Sequence, residues 1–336
     1  MTRAVLLPST GDPFLLRAWL KCFERWEDEV DKLYICINNR EMQSNELGYI
    51  LDLVTFNPKI HHQEYFLTLD HGPAINKMLD VCQEGAIMLA EDDALIFKKG
   101  QVESCFKRIQ DNEVDVIGSA RGSCAKEIYE RAEEVWGTPP QAPNFWPNFF
   151  FILKKNLLQT DRHFHAKQWV RGDYIKELDL EITDEISPAD TFVWASIQLR
   201  GMNLRAELVD QYHSRPEDIQ DKEQVLGIFD RKCPWVHIGS MSGWQFTLMS
   251  ATLQPRLGSI SEWERRAAAW LMVWEDAQED LPESMQKFSN LYKSGIDRLI
   301  TEYTLSPARV RLRTDLFRYL INPELYMKRL EERNTL

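Results

Sequence analysis

The sequence predicts an α/β protein, with a Rossmann-like, mainly parallel sheet flanked by helices over residues 1–245 and an all-α C-terminal extension over 256–336. Three observations predict it. Short apolar runs alternate with stretches of helical periodicity through roughly the first 120 residues. Polar residues cut those runs off at their carboxyl ends. From Ser261 onward apolar residues recur at helical spacing alone.

The elements follow in order. Ala4–Leu7 is a buried-strand run, ended by the turn chemistry of Pro8-Ser9-Thr10-Gly11-Asp12-Pro13. Phe14, Leu15, Ala18, Trp19, Cys22 and Phe23 then share one helix face. Leu33-Tyr34-Ile35-Cys36-Ile37 is a second strand, stopped by Asn38-Asn39. Leu47, Ile50, Leu51 and Val54 carry helical spacing, as do Ala74, Met78 and Leu79. Ala86–Ala90 is a third strand, stopped by Glu91-Asp92-Asp93. Val102, Phe106 and Ile109 mark a helix, and Val114–Gly118 another strand. Strand–helix alternation of this kind packs as a parallel sheet between helices, and ligands of such sheets bind beyond the carboxyl ends of the strands.

Further along, Asn148–Leu153 and Leu204–Val209 read as strands. Ser187-Pro188-Ala189-Asp190 reads as the opening of a helix through Trp194, Ile197 and Leu199 to Gly201, with Pro188 near its first turn. In the extension, Ser261 and Glu264 fit a capping box. Trp263, Ala267, Trp270 and Trp274 form one stripe, and Met285, Phe288, Tyr292, Ile296, Leu299 and Tyr303 a second. Ser306-Pro307 caps a third helix. The stripes read as core, and could also serve an interface between copies. Arg309, Arg311, Arg313 and Arg318 read as a solvated basic face, or as one facing an anionic partner.

Composition narrows the function classes. The 336 residues carry 40 Lys+Arg against 52 Asp+Glu, a formal net charge of -12, and the whole acidic excess lies before Arg256. Such a body repels phosphate backbones, which disfavours nucleic acid, and suits the concentration of a divalent cation. The six cysteines include no Cys-x-x-Cys pair and read as scattered reduced thiols. The start shows no signal h-region, no run approaches the ~20 apolar residues of a membrane span, and a cytoplasmic protein is expected. There is no Gly-x-Gly-x-x-Gly after the first strand, so nicotinamide binding is poorly supported, and no Gly-x-x-x-x-Gly-Lys-Ser/Thr loop, which excludes a P-loop ATPase.

The sharpest feature is Glu91-Asp92-Asp93, three adjacent carboxylates between two apolar strand-like runs. Like charges at that spacing repel, and burial without a partner is costly. A hard cation with oxygen ligands neutralises them, and Mg²⁺ or Mn²⁺ held this way shares its remaining positions with substrate phosphates. An acidic solvated turn is the alternative.

Leu89-Ala90-Glu91-Asp92-Asp93 resembles the Asp-x-Asp signature of GT-A glycosyltransferases, in its Glu-Asp-Asp form. Gly72-Pro73-Ala74-Ile75-Asn76-Lys77-Met78 and Gly85 resemble the helix leading into that strand in family-2-like members. Val5-Leu6-Leu7-Pro8-Ser9-Thr10 and Ile35-Cys36-Ile37-Asn38 are similar to the first two strands of that fold. The resemblance implies a nucleotide diphosphate sugar donor, a carbohydrate or glycoconjugate acceptor and a Mn²⁺ or Mg²⁺ cofactor. It implies Asp93 as metal ligand, with Glu91 and Asp92 on the ribose or on the metal through water. Pro8, Ser9, Thr10 and Asn38 would line the base and ribose pocket, and Asn76 would sit near the diphosphate. Asn38 is neutral where family members often carry an acid, and Glu91 replaces the first Asp. An inverting member needs a carboxylate to take the acceptor proton, and Asp190 fits that place, with Asp184 and Glu185 behind it. A helix N-terminal Asp is the structural alternative for Asp190. A third metal ligand would be His237, before a Gly-Ser turn, or His213. Trp136, Phe145, Trp146 and Trp244 read as core or as platforms for sugar rings. Two other readings remain: a sugar-phosphate nucleotidyltransferase, for which the loop after the first strand lacks basic residues, and a non-catalytic binding or assembly protein on the same fold.

Overall fold

The computed structural model describes residues 1–38, 42–65, 71–120, 124–137, 145–209, 235–237, 260–322 and 324. The expected alternation is present. β1 (Arg3–Ser9) leads through α1 (Pro13–Phe23) to β2 (Lys32–Asn38), then α2 (Ser44–Thr55), β3 (Ile60–Tyr65) and α3 (His71–Val81). β4 (Ala86–Ala90) and the short β5 (Ala94–Ile96) follow, then α4 (Gln101–Gln110), β6 (Val116–Ala120), α5 (Lys126–Trp136), β7 (Phe145–Leu153) and the one-turn α6 (Lys154–Leu157). Next come the short strands β8 (Lys167–Val170), β9 (Tyr174–Ile175), β10 (Leu180–Glu181) and β11 (Ile186–Ala189), then α7 (Val193–Gly201), β12 (Ala206–Val209) and β13 (Trp235–His237). Three helices close the described chain: α8 (Ile260–Ala277), α9 (Gln286–Glu302) and α10 (Pro307–Ile321).

Seven strands form one sheet in the order β12-β6-β7-β4-β1-β2-β3. β1 runs parallel to both β2 and β4, β2 to β3 and β6 to β12, while β7 lies antiparallel between β4 and β6. The central strands are apolar on both faces because helices cover both, so every residue of β4 is buried. β3 carries no apolar run (Ile-His-His-Gln-Glu-Tyr), and nothing in its pattern announced a strand. It lies at the sheet edge, mostly half-buried, where polar side chains are tolerated and discourage further pairing.

Two expectations are corrected. Pro188 does not start a helix: residues 186–189 are β11, paired antiparallel with β8, and α7 begins only at Val193. β11 has buried Ser187 and Ala189 alternating with exposed Ile186 and Pro188, the period of a half-covered strand. Ser261 does not cap its helix, since α8 already includes Ile260. Glu264 is instead buried at 1% exposure, 3.9 Å from the guanidinium groups of both Arg309 and Arg313. The third helix starts as expected: Ser306 accepts from the Arg309 N–H, with Pro307 in the first turn.

The arginines of α10 form a solvated basic face only in part: Arg309 is exposed and Arg311 half-buried. Arg313 and Arg318 are buried, Arg311 pairs with Glu275, and Arg318 pairs with Glu275 and Asp276 of α8. A charged helix face buried this way is neutralised within the three-helix unit.

That unit joins the core around the sheet. Phe14 of α1 meets Phe288 and Tyr292 of α9 edge-on, at centroid distances of 5.1 and 5.2 Å. Trp263, Trp270 and Tyr292 belong to one apolar cluster with Phe14, Trp19, Ile35, Met88 and Phe151. The buried Arg17 donates to the Asp276 carbonyl, 2.7 Å, and pairs with Asp280, while Arg25 donates to the Ile321 carbonyl. The expected boundary between 245 and 256 falls outside the described residues. No described helix is long and apolar enough to cross a membrane. Cys22, Cys36, Cys82, Cys105 and Cys124 are in no disulfide, and burial pushes the first four thiols up to about 12.

Candidate active site

β1 and β4 are neighbours, but the chain leaves β1 for β2 on the other side. Strand order therefore reverses between β1 and β4, where open α/β sheets form their ligand crevice. Leu6 pairs with Leu89 in that ladder, so the residues just past the two strand ends meet. Ser9 Oγ donates to Asp92 Oδ2 at 2.8 Å, and the Thr10 N–H and Thr10 Oγ1 donate to the same oxygen at 3.0 and 3.2 Å. The Gly11 N–H donates to Ser9 Oγ, 3.2 Å. Gly11 holds φ +82, and a side chain there would come within 2.5 Å of the Asn38 carbonyl oxygen. The loop after β1 thus packs on the end of β2, which brings Pro8, Ser9, Thr10, Asn38 and Asp92 to one corner of the sheet.

The acidic triplet is not a solvated turn. Asp92 is 1% exposed and Asp93 2%, while Glu91 is half-buried. Burial raises Asp92 to about 7, the negative charge of Asp93 adds to the shift, and the Ser9 and Thr10 hydrogen bonds oppose it. A loop residue that the sequence reading used only as turn chemistry adds to this: Asp12, also 1% exposed, raises Asp92 further. Asp12 Oδ1 caps α1 by accepting from the Phe14 and Leu15 N–H groups, both 3.0 Å, and Oδ2 accepts from Tyr292 Oη, 3.1 Å. Asp-Pro before a helical pattern was a readable N-cap signature; the tyrosine, 280 residues away, was not.

After the triplet the chain turns sharply, the Ala94 N–H donating to the Glu91 carbonyl at 3.0 Å, and enters β5. β13 pairs antiparallel with β5 and sets His237 opposite Ala94, one residue beyond Asp93. The backbone thus brings His237 beside the acidic triplet, as far as register decides it; its side chain, together with His213 and Trp244, lies outside the described residues. Among the described residues no group of three His, Cys, Asp or Glu side chains converges as a metal set.

Asp190 lies in the turn between β11 and α7. Its carboxylate accepts from the Thr191 N–H, 2.8 Å, ahead of the helix, and the helix N-cap is Phe192. Capping of α7 therefore does not explain this aspartate. It reaches solvent, yet surrounding protein still raises its carboxyl above the ordinary value; the Thr191 bond opposes this, the charge of Glu91 adds to it and His71 works against it. Glu91 and Asp190 thus share one electrostatic neighbourhood, and His71 Nε2 stands 3.6 Å from Glu91 Oε1. The sequence reading missed His71, whose residue type and place before Gly72 carry no signal alone. Gly72 packs so closely on residues 164–165 that a side chain would come within 2.3 Å of the His165 nitrogen. The Phe192 N–H donates to the Phe164 carbonyl, 2.8 Å. These two contacts draw the start of α3 and the Asp190 turn together.

Asn76 is clamped by Arg162: its Nδ2 donates to the Arg162 carbonyl and its Oδ1 accepts from Arg162 Nε, both 2.9 Å. Asp184 and Glu185 are exposed on the loop before β11, which Glu127 of α5 ties down through Thr183, Asp184 and Ser187. Phe145 is core, and the half-buried Trp136 is covered by the Arg200 guanidinium, 5.6 Å from its ring centroid.

No family model matches the chain, and no curated protein matches it in sequence. Among solved structures it is similar to the mannosyltransferase PcManGT from Pyrobaculum calidifontis in complex with GDP-Man and Mn²⁺. The identity there is 13%, 97% of this chain and 82% of that one are covered, and the TM-score is 0.44. It is also similar to S. aureus TarS 1-349 in complex with UDP-GlcNAc, at 12% identity and TM-score 0.41, covering 95% of this chain and 87% of that one. Both scores lie under 0.5, and the functional reading rests on the chain's own residues.

Proposed function

We propose that the chain is a metal-dependent, inverting GT-A-type glycosyltransferase that moves a sugar from a nucleotide diphosphate donor to a carbohydrate acceptor. One observation carries the reading: two adjacent, nearly inaccessible carboxylates at the reversal point of an open α/β sheet, one of them held by the loop after β1. Neighbouring carboxylates in that position suit a hard divalent cation such as Mn²⁺ or Mg²⁺, because oxygen donors are what such a cation takes. Asp93 would be the ligand, with His237 beside it. When bound, the cation supplies charge neutralisation for a diphosphate leaving group.

The chain's own residues do the rest. Ser9 and Thr10 fix Asp92 and wall the pocket for ribose and base with Pro8 and Asn38. Glu91 faces the ribose side. Asn76, held by Arg162, shapes the diphosphate end. Asp190 takes the proton of the acceptor hydroxyl as that oxygen attacks the anomeric carbon. The bond to the diphosphate oxygen breaks with its electron pair, and the configuration inverts. A carboxylate raised by burial and by Glu91 is a stronger base than an ordinary aspartate, which suits this role.

Thermal melts with GDP and UDP, each with and without Mn²⁺, test the reading, since specific binding raises the melting temperature by mass action. A Mn²⁺-dependent rise, followed by transfer from a matching sugar donor, is expected. No rise with either nucleotide, or pyrophosphate release from a nucleoside triphosphate instead, would refute it.

A further inference from the structure

Tyr292 belongs to the C-terminal helices, yet its hydroxyl ends inside the loop that builds the candidate site. It donates to Asp12 Oδ2 at 3.1 Å, and the tyrosine, fully buried between Phe14 and Phe288, has no other hydrogen-bond partner among the described residues. From Asp12 a continuous set of bonds leads to the acidic triplet. Asp12 Oδ1 holds the Phe14 and Leu15 N–H groups, Gly11 between Asp12 and Thr10 donates to Ser9 Oγ, and Ser9 Oγ and the Thr10 N–H donate to Asp92 Oδ2. A carboxylate at 1% exposure is costly to leave with one oxygen unfilled. The capping N–H groups fill Oδ1, and the tyrosine from α9 fills Oδ2.

We infer that Tyr292 is a positioning residue, by which the C-terminal helices brace the Ser9–Asp12 loop and through it hold Asp92 in the geometry that receives the donor. The helices are then part of the site's construction. The mechanical half stands on the hydrogen bonds alone; the donor half rests on the function proposed above.

Tyr292→Phe removes the hydroxyl and keeps the ring between its aromatic neighbours. Trp274→Phe is the comparison. It removes the indole's two hydrogen bonds to Ser289, to its carbonyl and its hydroxyl, within the same helices without touching the loop. Hydrogen–deuterium exchange on the full chain, free of ligand, reads the brace directly. The Thr10, Gly11, Phe14 and Leu15 amides are expected to exchange about tenfold faster in Tyr292→Phe, and at wild-type rates in Trp274→Phe. Titration with GDP and with UDP in the presence of Mn²⁺ is expected to show about tenfold weaker binding for Tyr292→Phe only. Asp12→Asn keeps a capping oxygen, and combining it with Tyr292→Phe is expected to give less than the sum of the two losses. Wild-type exchange rates in Tyr292→Phe, or the same acceleration in Trp274→Phe, would overturn the brace. Wild-type protein that binds neither nucleotide would overturn the donor half together with the proposed function, while the exchange rates still decide the brace.

Discussion

At the residue scale the proposed chemistry rests on carboxylates that protein has desolvated. Asp93 presses its charge on Asp92, so Asp93→Asn removes that charge along with the proposed ligand. Asp93→Asn is expected to lose the Mn²⁺-dependent shift, with transfer falling at least about a hundredfold; melts and a transfer assay check both. Asp190→Asn should keep donor binding and lose about two to four orders of magnitude in kcat, the usual worth of a general base. Nucleotide titration beside single-turnover rates separates binding from chemistry.

Asp12 gives a pH prediction of definite sign. Burial raises it to about 6 from an ordinary value of 3.8. Between those values the folded chain holds a proton that the unfolded chain has released. Its stabilising contribution is therefore full below about pH 4 and is lost as pH rises through 6. In Asp12→Asn the melting temperature should lose that part of its fall between pH 4 and 7. Melts across the pH range with no metal present measure it.

Individual elements owe their place to close backbone approach. α3 lies against residues 164–165 because position 72 has no side chain. In Gly72→Ala the new methyl group meets backbone on both residues, and backbone yields less readily than the end of a flexible side chain. A loss of about 1–3 kcal/mol is expected in urea unfolding, with the start of α3 pushed away from the Asp190 turn. Elements also show where pattern reading failed. β3 was silent because an edge strand needs no continuous apolar run. Pro188 pointed to a helix start, but its neighbours alternate between buried and exposed, and pairing with β8 made that segment a strand. Glu264 stood at capping-box spacing, yet burial beside Arg309 and Arg313 decided its role.

At the scale of the whole molecule, the C-terminal helices share the core that supports the sheet. A chain ending at residue 245 would uncover Phe14, and leave Arg17 and Asp12 without the partners that α8, α9 and the residues between them provide. Such a chain is expected to lose cooperative unfolding and to bind hydrophobic dyes. Near-UV circular dichroism and a dye-binding assay on the truncated protein check this, and a sharp unfolding transition would count against it.

The sequence by itself determined the α/β class, six of the seven strands of the main sheet, the three closing helices and the acidic triplet. Those features are local: a buried strand must be apolar, a helix must repeat its apolar face, and three carboxylates in a row stand out in any context. Only the tertiary structure decided that Asp92 and Asp93 are buried, that Ser9 and Thr10 hold Asp92, that His71 faces Glu91, and that Asp12 meets Tyr292. Each of these depends on strand register or helix packing between residues far apart in the chain, and a pattern read along one sequence carries no term for such a meeting.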